Sequence, residues 1–226
     1  MKLMMMDFDW KQLFNPEFYI LLKIGGFQIG LFVVLFIVYA ETGLLAGFFL
    51  PGDSLLFLSG IYSETLMLQI SSGSDFLNLF ILASLVSLMG ILGNMTGYWF
   101  GAKSGNYLYN REDSLFFKKK YLYQSKAFFD KYGGKAIIYA RFLPIVRTFA
   151  PVIAGIVSMD KKQFMFFNVL SSILWSFSLI FAGHYLSKLI LDEFGFDLKK
   201  HIELLVLGIV FVTTLPVFLK LFKTQK

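Results

Sequence analysis

The sequence predicts an all-α integral membrane protein: four spanning helices plus two opposed re-entrant hairpins in an inverted repeat, with an N-terminal interfacial helix. Three observations predict it. Of 226 residues, 57% are hydrophobic and only 16% charged, where soluble domains carry about a quarter charged. Basic residues crowd into alternate connecting segments, the asymmetry that orients membrane proteins. Two apolar stretches, residues 41–60 and 140–155, each carry Phe-Leu-Pro, at Phe49-Leu50-Pro51 and Phe142-Leu143-Pro144, and each closes on a glycine. Proline removes a backbone donor and cannot continue a helix, so both stretches are expected to break at the middle.

The chain reads as one membrane domain, 1–226, without a polar soluble insert. Residues 1–24 place Trp10, Leu13, Phe14, Phe18 and Leu21 at helical spacing among charges and read as an interfacial segment. Acids at Asp7 and Asp9 argue against a cleaved secretory signal. Gly25-Gly26 marks a turn. The first half-repeat, 27–102, holds a span at 27–43, the first hairpin at about 44–61 and a long helix over 76–102. That helix carries Gly93, Gly97, Gly101 and Gly105 on one face, a ladder that lets another helix approach closely.

Residues 62–75 contain acids and no Lys or Arg, which places them outside; residues 103–131 carry seven basic residues against three acids, which places them inside. The second half-repeat, 134–222, opens with a hairpin at about 134–158, followed by spans at 163–187 and 204–222. The acidic segment 188–203 is expected outside. Both termini are expected inside. The two hairpins then enter from opposite faces, and discontinuous helices meeting near the midplane are the architecture of secondary transporters.

Four ionisable residues fall within apolar sequence: Glu41 and Asp53 in the first half, Arg141 and Arg147 in the second. Insertion scales put each at about 2.5–3.5 kcal/mol at a helix centre, so they must face one another, water or a ligand. Arginine keeps its charge and offers a planar fork that fits phosphate at two points, so Arg141 and Arg147 suit an anionic headgroup. Carboxylates can exchange protons, so Glu41 and Asp53 suit proton coupling. Two structural salt bridges are the alternative reading. Asn168, on the helix after the second hairpin, is a further substrate-binding candidate through the freed hairpin backbone. Pro51, Gly52, Gly60, Pro144, Pro151 and Gly155 are expected to shape the hairpins.

Several functions are disfavoured. The net charge of +6 is dispersed between apolar segments, which argues against nucleic acid. The chain has no cysteine, and neither of its two histidines has a second ligand at useful spacing, so no metal or other cofactor is expected. No histidine lies beside Ser54, Ser59 or Thr148, which argues against an enzyme.

These motifs, Glu41 with Phe48-Phe-Leu-Pro-Gly-Asp53, Gly93-Asn-Met-Thr-Gly-Tyr-Trp-Phe-Gly101, Phe129-Asp-Lys-Tyr-Gly-Gly134 and Arg141-Phe-Leu-Pro-Ile-Val-Arg147 with Ala154-Gly155, resemble the DedA family, also called SNARE-associated or VTT-domain proteins. The resemblance covers roughly residues 27–190. It implies a bacterial inner-membrane protein that moves lipids such as polyprenyl phosphates or phospholipids between leaflets, often linked to the proton gradient. It also implies that Glu41, Asp53, Arg141 and Arg147 are essential. The expected function is therefore a flippase for a phosphate-bearing lipid, with protons as coupling partner and homo-oligomers allowed. The alternatives are a proton-coupled carrier of a small ion or drug, and a non-transporting assembly factor.

Overall fold

The computed structural model describes residues 16–44, 52–68, 70–71, 73–110, 119–141, 143–201 and 208. Pro51, the expected span 204–222 apart from Gly208, and the terminal lysines lie outside the described residues. The fold is almost entirely helical, and its frame is two long apolar helices, α5 (Asp75–Asn110) and α9 (Lys161–Phe194), both long enough to cross a membrane. Their outer faces expose Phe76, Phe80, Leu92 and Trp99 on α5 and Phe166, Leu174 and Leu186 on α9. So much apolar surface on both helices suits lipid better than water.

Two helix pairs pack into this frame from opposite ends. The first is α2 (Gly30–Gly43) with α3 (Gly52–Ile61); the second is α7 (Lys135–Arg141) with α8 (Pro144–Ile156). Each leading limb packs on the long helix of its own half, α2 on α5 and α7 on α9. Each returning limb packs on the long helix of the other half, α3 on α9 and α8 on α5. The approaches are close because glycines lie at the crossings. A Cβ at Gly60 would overlap the Ile180 carbonyl and one at Gly183 the Phe57 carbonyl, while Gly101 abuts the Val152 carbonyl and Gly155 the Tyr98 carbonyl. The glycine ladder of α5 thus serves packing, as expected: Gly93 faces Thr42, Gly97 faces Pro151, and Gly105 faces Ile156.

Pro144 occupies the first turn of α8, where its missing donor costs nothing, and Pro151 lies inside that helix. Each helix pair has its own apolar cluster. Leu55, Leu58, Leu79, Leu82 and Ile180 pack around the first, and Phe129, Ile137, Ala154 and Phe164 around the second.

The expected span at 27–43 is instead the 14-residue helix α2, about 21 Å long, and it acts as the leading limb of the first pair. This changes the placement of the N-terminal segment. Helix α1 (Pro16–Ile20) packs on α2 and α3; the Tyr62 hydroxyl donates to Glu17 Oε1 at 2.5 Å, and a Cβ at Gly30 would overlap the Ile20 carbonyl. Between them, strands β1 (Lys23–Ile24) and β2 (Phe27–Gln28) form a hairpin through Gly25 and Gly26, at φ +59° and +87°. Residues 16–29 therefore lie at the same end as 62–75, the segment that holds the short helix α4 (Ser63–Met67). The expectation that put the N-terminal side and 62–75 on opposite faces is corrected for residues 16–29, because Glu17 accepts from Tyr62 and α1 packs on α3. Segments 62–75 and 188–203 do share an end: Lys188 pairs with Asp75 at 2.5 Å, and the Lys199 ammonium lies 5.3 Å from the Tyr62 ring. The basic helix α6 (Lys119–Tyr132) lies at the other end, beside α7 and α8.

Candidate functional site

The breaks of the two helix pairs face each other, and all four predicted charges meet there. Glu41 sits near the end of α2, Asp53 in the first turn of α3, Arg141 at the end of α7 and Arg147 in the first turns of α8. Glu41, Arg141 and Arg147 are 1%, 2% and 5% exposed, so water contributes little to their solvation.

Arg147 joins the two halves. Its Nη2 donates to Glu41 Oε1 and its Nη1 to Asp53 Oδ1, so one guanidinium is divided between two carboxylates. Gly52 makes this possible, since a Cβ there would overlap the Glu41 carboxylate. The structural salt bridge anticipated as the alternative role is therefore present, but only for one arginine.

Arg141 is different. Its Nε, Nη1 and Nη2 are all buried and find no hydrogen-bond partner among the described residues. Its guanidinium carbon lies 4.6 Å from the centroid of the Trp175 ring, and a Cβ at Gly90 would come within 2.5 Å of Nη2. Trp175 also faces Arg147, 5.2 Å from ring centroid to guanidinium carbon, while its Nε1 donates to Asp53 Oδ1 at 2.8 Å. The indole thus stabilises both cations through its face and one anion through its edge. Sequence reasoning gave Trp175 no role; a lone indole within a spanning helix was the available signal.

Asn168 lies near this cluster but not at its centre. Its Nδ2 donates to the Ile91 carbonyl at 3.1 Å, and its Oδ1 accepts from Asn94 Nδ2 at 2.7 Å. Ser172 Oγ donates to the same Oδ1 at 3.4 Å. Asn168 therefore ties α9 to α5, and not to the hairpin backbone as expected. Asn94, fully buried on the glycine face of α5, was missed as its partner. Gly60 and Gly155 are helix-crossing positions, Gly52 accommodates Glu41, and the Pro151 ring packs beside Gly97.

The arrangement is formally neutral when all four groups are ionised, yet its hydrogen bonding is lopsided. One arginine pairs with one oxygen of each acid, leaving Glu41 Oε2 and its own Nε without a partner among the described residues, and the other keeps every donor unspent there. Leaving buried charged donors without acceptors is costly, and among the described residues Arg141 bears that cost at all three of its guanidinium nitrogens.

Comparison with known sequences identifies the scaffold. A family profile described as the VTT domain matches residues 50–185, a span that includes Asp53, both arginines and Trp175. The chain belongs to the DedA (VTT-domain) family. Protein DedA of Escherichia coli is 32% identical over 204 residues, covering 90% of this chain and 87% of that protein. The inner membrane protein YqjA of the same organism is 34% identical over 188 residues, covering 80% and 74%. A Mycobacterium tuberculosis protein named only as an uncharacterized membrane protein is 41% identical over 183 residues, covering 81% and 74%. No solved structure matches this DedA-family chain. Together with the two long apolar helices, these relatives support a membrane protein, with the inner membrane as its plausible location.

Proposed function

We propose that this protein moves a phosphate-bearing lipid between leaflets, with Arg141 as the principal headgroup ligand and Arg147 as a lock that opens on protonation of Glu41 or Asp53. The single observation carrying this reading is the buried Arg141 guanidinium, whose three nitrogens have no hydrogen-bond partner among the described residues. Phosphate is the acceptor whose geometry fits that fork.

In a bilayer the two helix pairs would be re-entrant hairpins, entering from opposite faces and meeting near the midplane between α5 and α9. This gives the coupling a simple form. In the closed state Arg147 is occupied by Glu41 and Asp53. Protonating a carboxyl breaks its ion pair and frees a donor edge of Arg147 beside Arg141, so that two guanidiniums can share one phosphate. Deprotonation restores the acids as competitors and expels the headgroup.

The test is reconstitution of the full chain into sealed liposomes with labelled lipids of several headgroups, with and without a pH gradient. Wild type should translocate phosphate-bearing lipids faster under a gradient. Arg141→Lys should lose most transport although charge is kept. The pair Glu41→Gln with Asp53→Asn should bind lipid yet release it poorly at every pH. Full gradient-dependent transport by either variant overturns the reading.

A further inference from the structure

We infer that a groove between α5 and the first turns of α9, lined by none of the four clustered charges, binds an anionic phospholipid, with one acyl chain along its wall and the headgroup on Lys161. The groove measures about 490 Å³ and is lined by Met95, Trp99, Ala102, Phe164 and Met165, with Lys161 as its charged member. That volume lies in the roughly 300–1,000 Å³ range of small-molecule sites. From Met95 to Ala102 the wall runs about 10 Å along the helix axis, from the basic end of the bundle toward its middle. Two methionines and an indole make such a wall adaptable and suited to an interface.

Charge selects the occupant. Lys161 makes no ion pair among the described residues. The adjacent Asp160 is engaged as the cap of α9, accepting from the Gln163 amide at 2.8 Å. The Tyr98 hydroxyl is likewise spent, donating to the Met159 carbonyl at 2.6 Å. A second cation stands at the same rim: the Lys103 ammonium lies 5.2 Å from the Trp99 ring. At their other ends the same two helices present Asp75 paired with Lys188, which leaves no net charge for a headgroup. An apolar trough with cations at one rim matches a molecule with a long apolar chain and an anionic head. A soluble phosphate would leave the trough unused. A second copy of the chain would have no need of the lysine.

This site rests on the membrane embedding of α5 and α9 and not on the transport reading, so its test measures occupancy only. The full chain is placed in phosphatidylcholine nanodiscs containing increasing brominated phosphatidylglycerol or brominated phosphatidylcholine. Quenching of Trp99 is taken as the difference between wild type and Trp99→Phe. The anionic lipid should reach half-quenching at a mole fraction about five-fold lower than the zwitterionic one, the weight of one lysine near an anionic surface. Lys161→Gln should erase that preference while leaving quenching itself. Ala102→Phe, or Met95→Phe should the first variant fold poorly, should suppress quenching by both lipids. Equal quenching by the two lipids, a preference that survives Lys161→Gln, competition by inorganic phosphate, or protection of Trp99 that follows protein dimerisation would each overturn the assignment.

Discussion

The two halves of the molecule use one construction and opposite chemistry. In each, a short leading limb packs on its own long helix and a returning limb crosses onto the other through glycine contacts. The first half brings two carboxylates to the junction and the second brings two guanidiniums. Were the pairing also symmetric, each acid would hold one arginine. Instead Arg147 holds both acids and Arg141 holds none. Geometry repeats because packing is a property of backbone shape. Pairing departs from the repeat, and that departure separates an arginine that joins the two halves from one whose donors have no partner among the described residues.

The sharpest way to break this comparison is to remove each arginine in turn. Arg147→Leu leaves the buried Glu41 and the partly buried Asp53 without the cation they are ion-paired with and should cost about 3–5 kcal/mol of stability, the penalty for breaking a buried pair from one side. Adding Glu41→Gln and Asp53→Asn to it should recover much of that loss. Arg141→Leu removes a cation with no hydrogen-bonded partner among the described residues, so its stability should change far less while transport is lost. Reversible unfolding in mixed micelles, alongside the liposome assay, reads both. Equal destabilisation by the two leucine variants would show that Arg141 is also structural.

Much of this junction was legible in the chain. Glu41, Asp53, Arg141 and Arg147 stood out because charges within apolar sequence are expensive, and the two Phe-Leu-Pro breaks marked where helices must turn. The pairing was not legible. Arg141 and Arg147 are six positions apart across a break, and which one faces the acids depends on how α7 and α8 are rotated after it. Nor could composition tell a short span from half a hairpin. Residues 27–43 are apolar in either case, and reading them as a span put residues 16–29 at the wrong end. Trp175 was invisible for a third reason: its partners, Asp53 and Arg141, are distant in sequence, so no local spacing connects them.

The shared construction can be tested by adding the same carbon atoms to both halves. Gly60→Ala sets a methyl group against the Ile180 carbonyl, where α3 crosses α9; Gly101→Ala sets one against the Val152 carbonyl, where α8 crosses α5. Overpacking of this kind typically costs about 1–3 kcal/mol. If the halves are equivalent in packing, the two variants should fall within about 1 kcal/mol of each other in the same unfolding measurement. A large cost at one crossing and none at the other would mean that only one helix pair is held firmly, and the repeat would be a likeness of shape without a likeness of energetics.

The smallest expected effect is the most specific, and it concerns the side chain that touches both halves. Trp175→Phe keeps an aromatic face for Arg141 and Arg147 but removes the Nε1 donor to Asp53 Oδ1. A hydrogen bond to a charged acceptor contributes about 1.5–3 kcal/mol, and Asp53 keeps its contact with Arg147, so the stability loss should lie at the low end of that range. Function should move in a definite direction. With one partner fewer to hold its carboxylate, Asp53 should release Arg147 more readily, so the gradient needed for half-maximal transport should fall. Trp175→Leu, which also removes the ring, should add a loss of headgroup binding that the phenylalanine variant does not show. If phenylalanine leaves the gradient dependence in place, the hold of Asp53 on Arg147 does not set the opening of the lock, and that role falls to Glu41 alone.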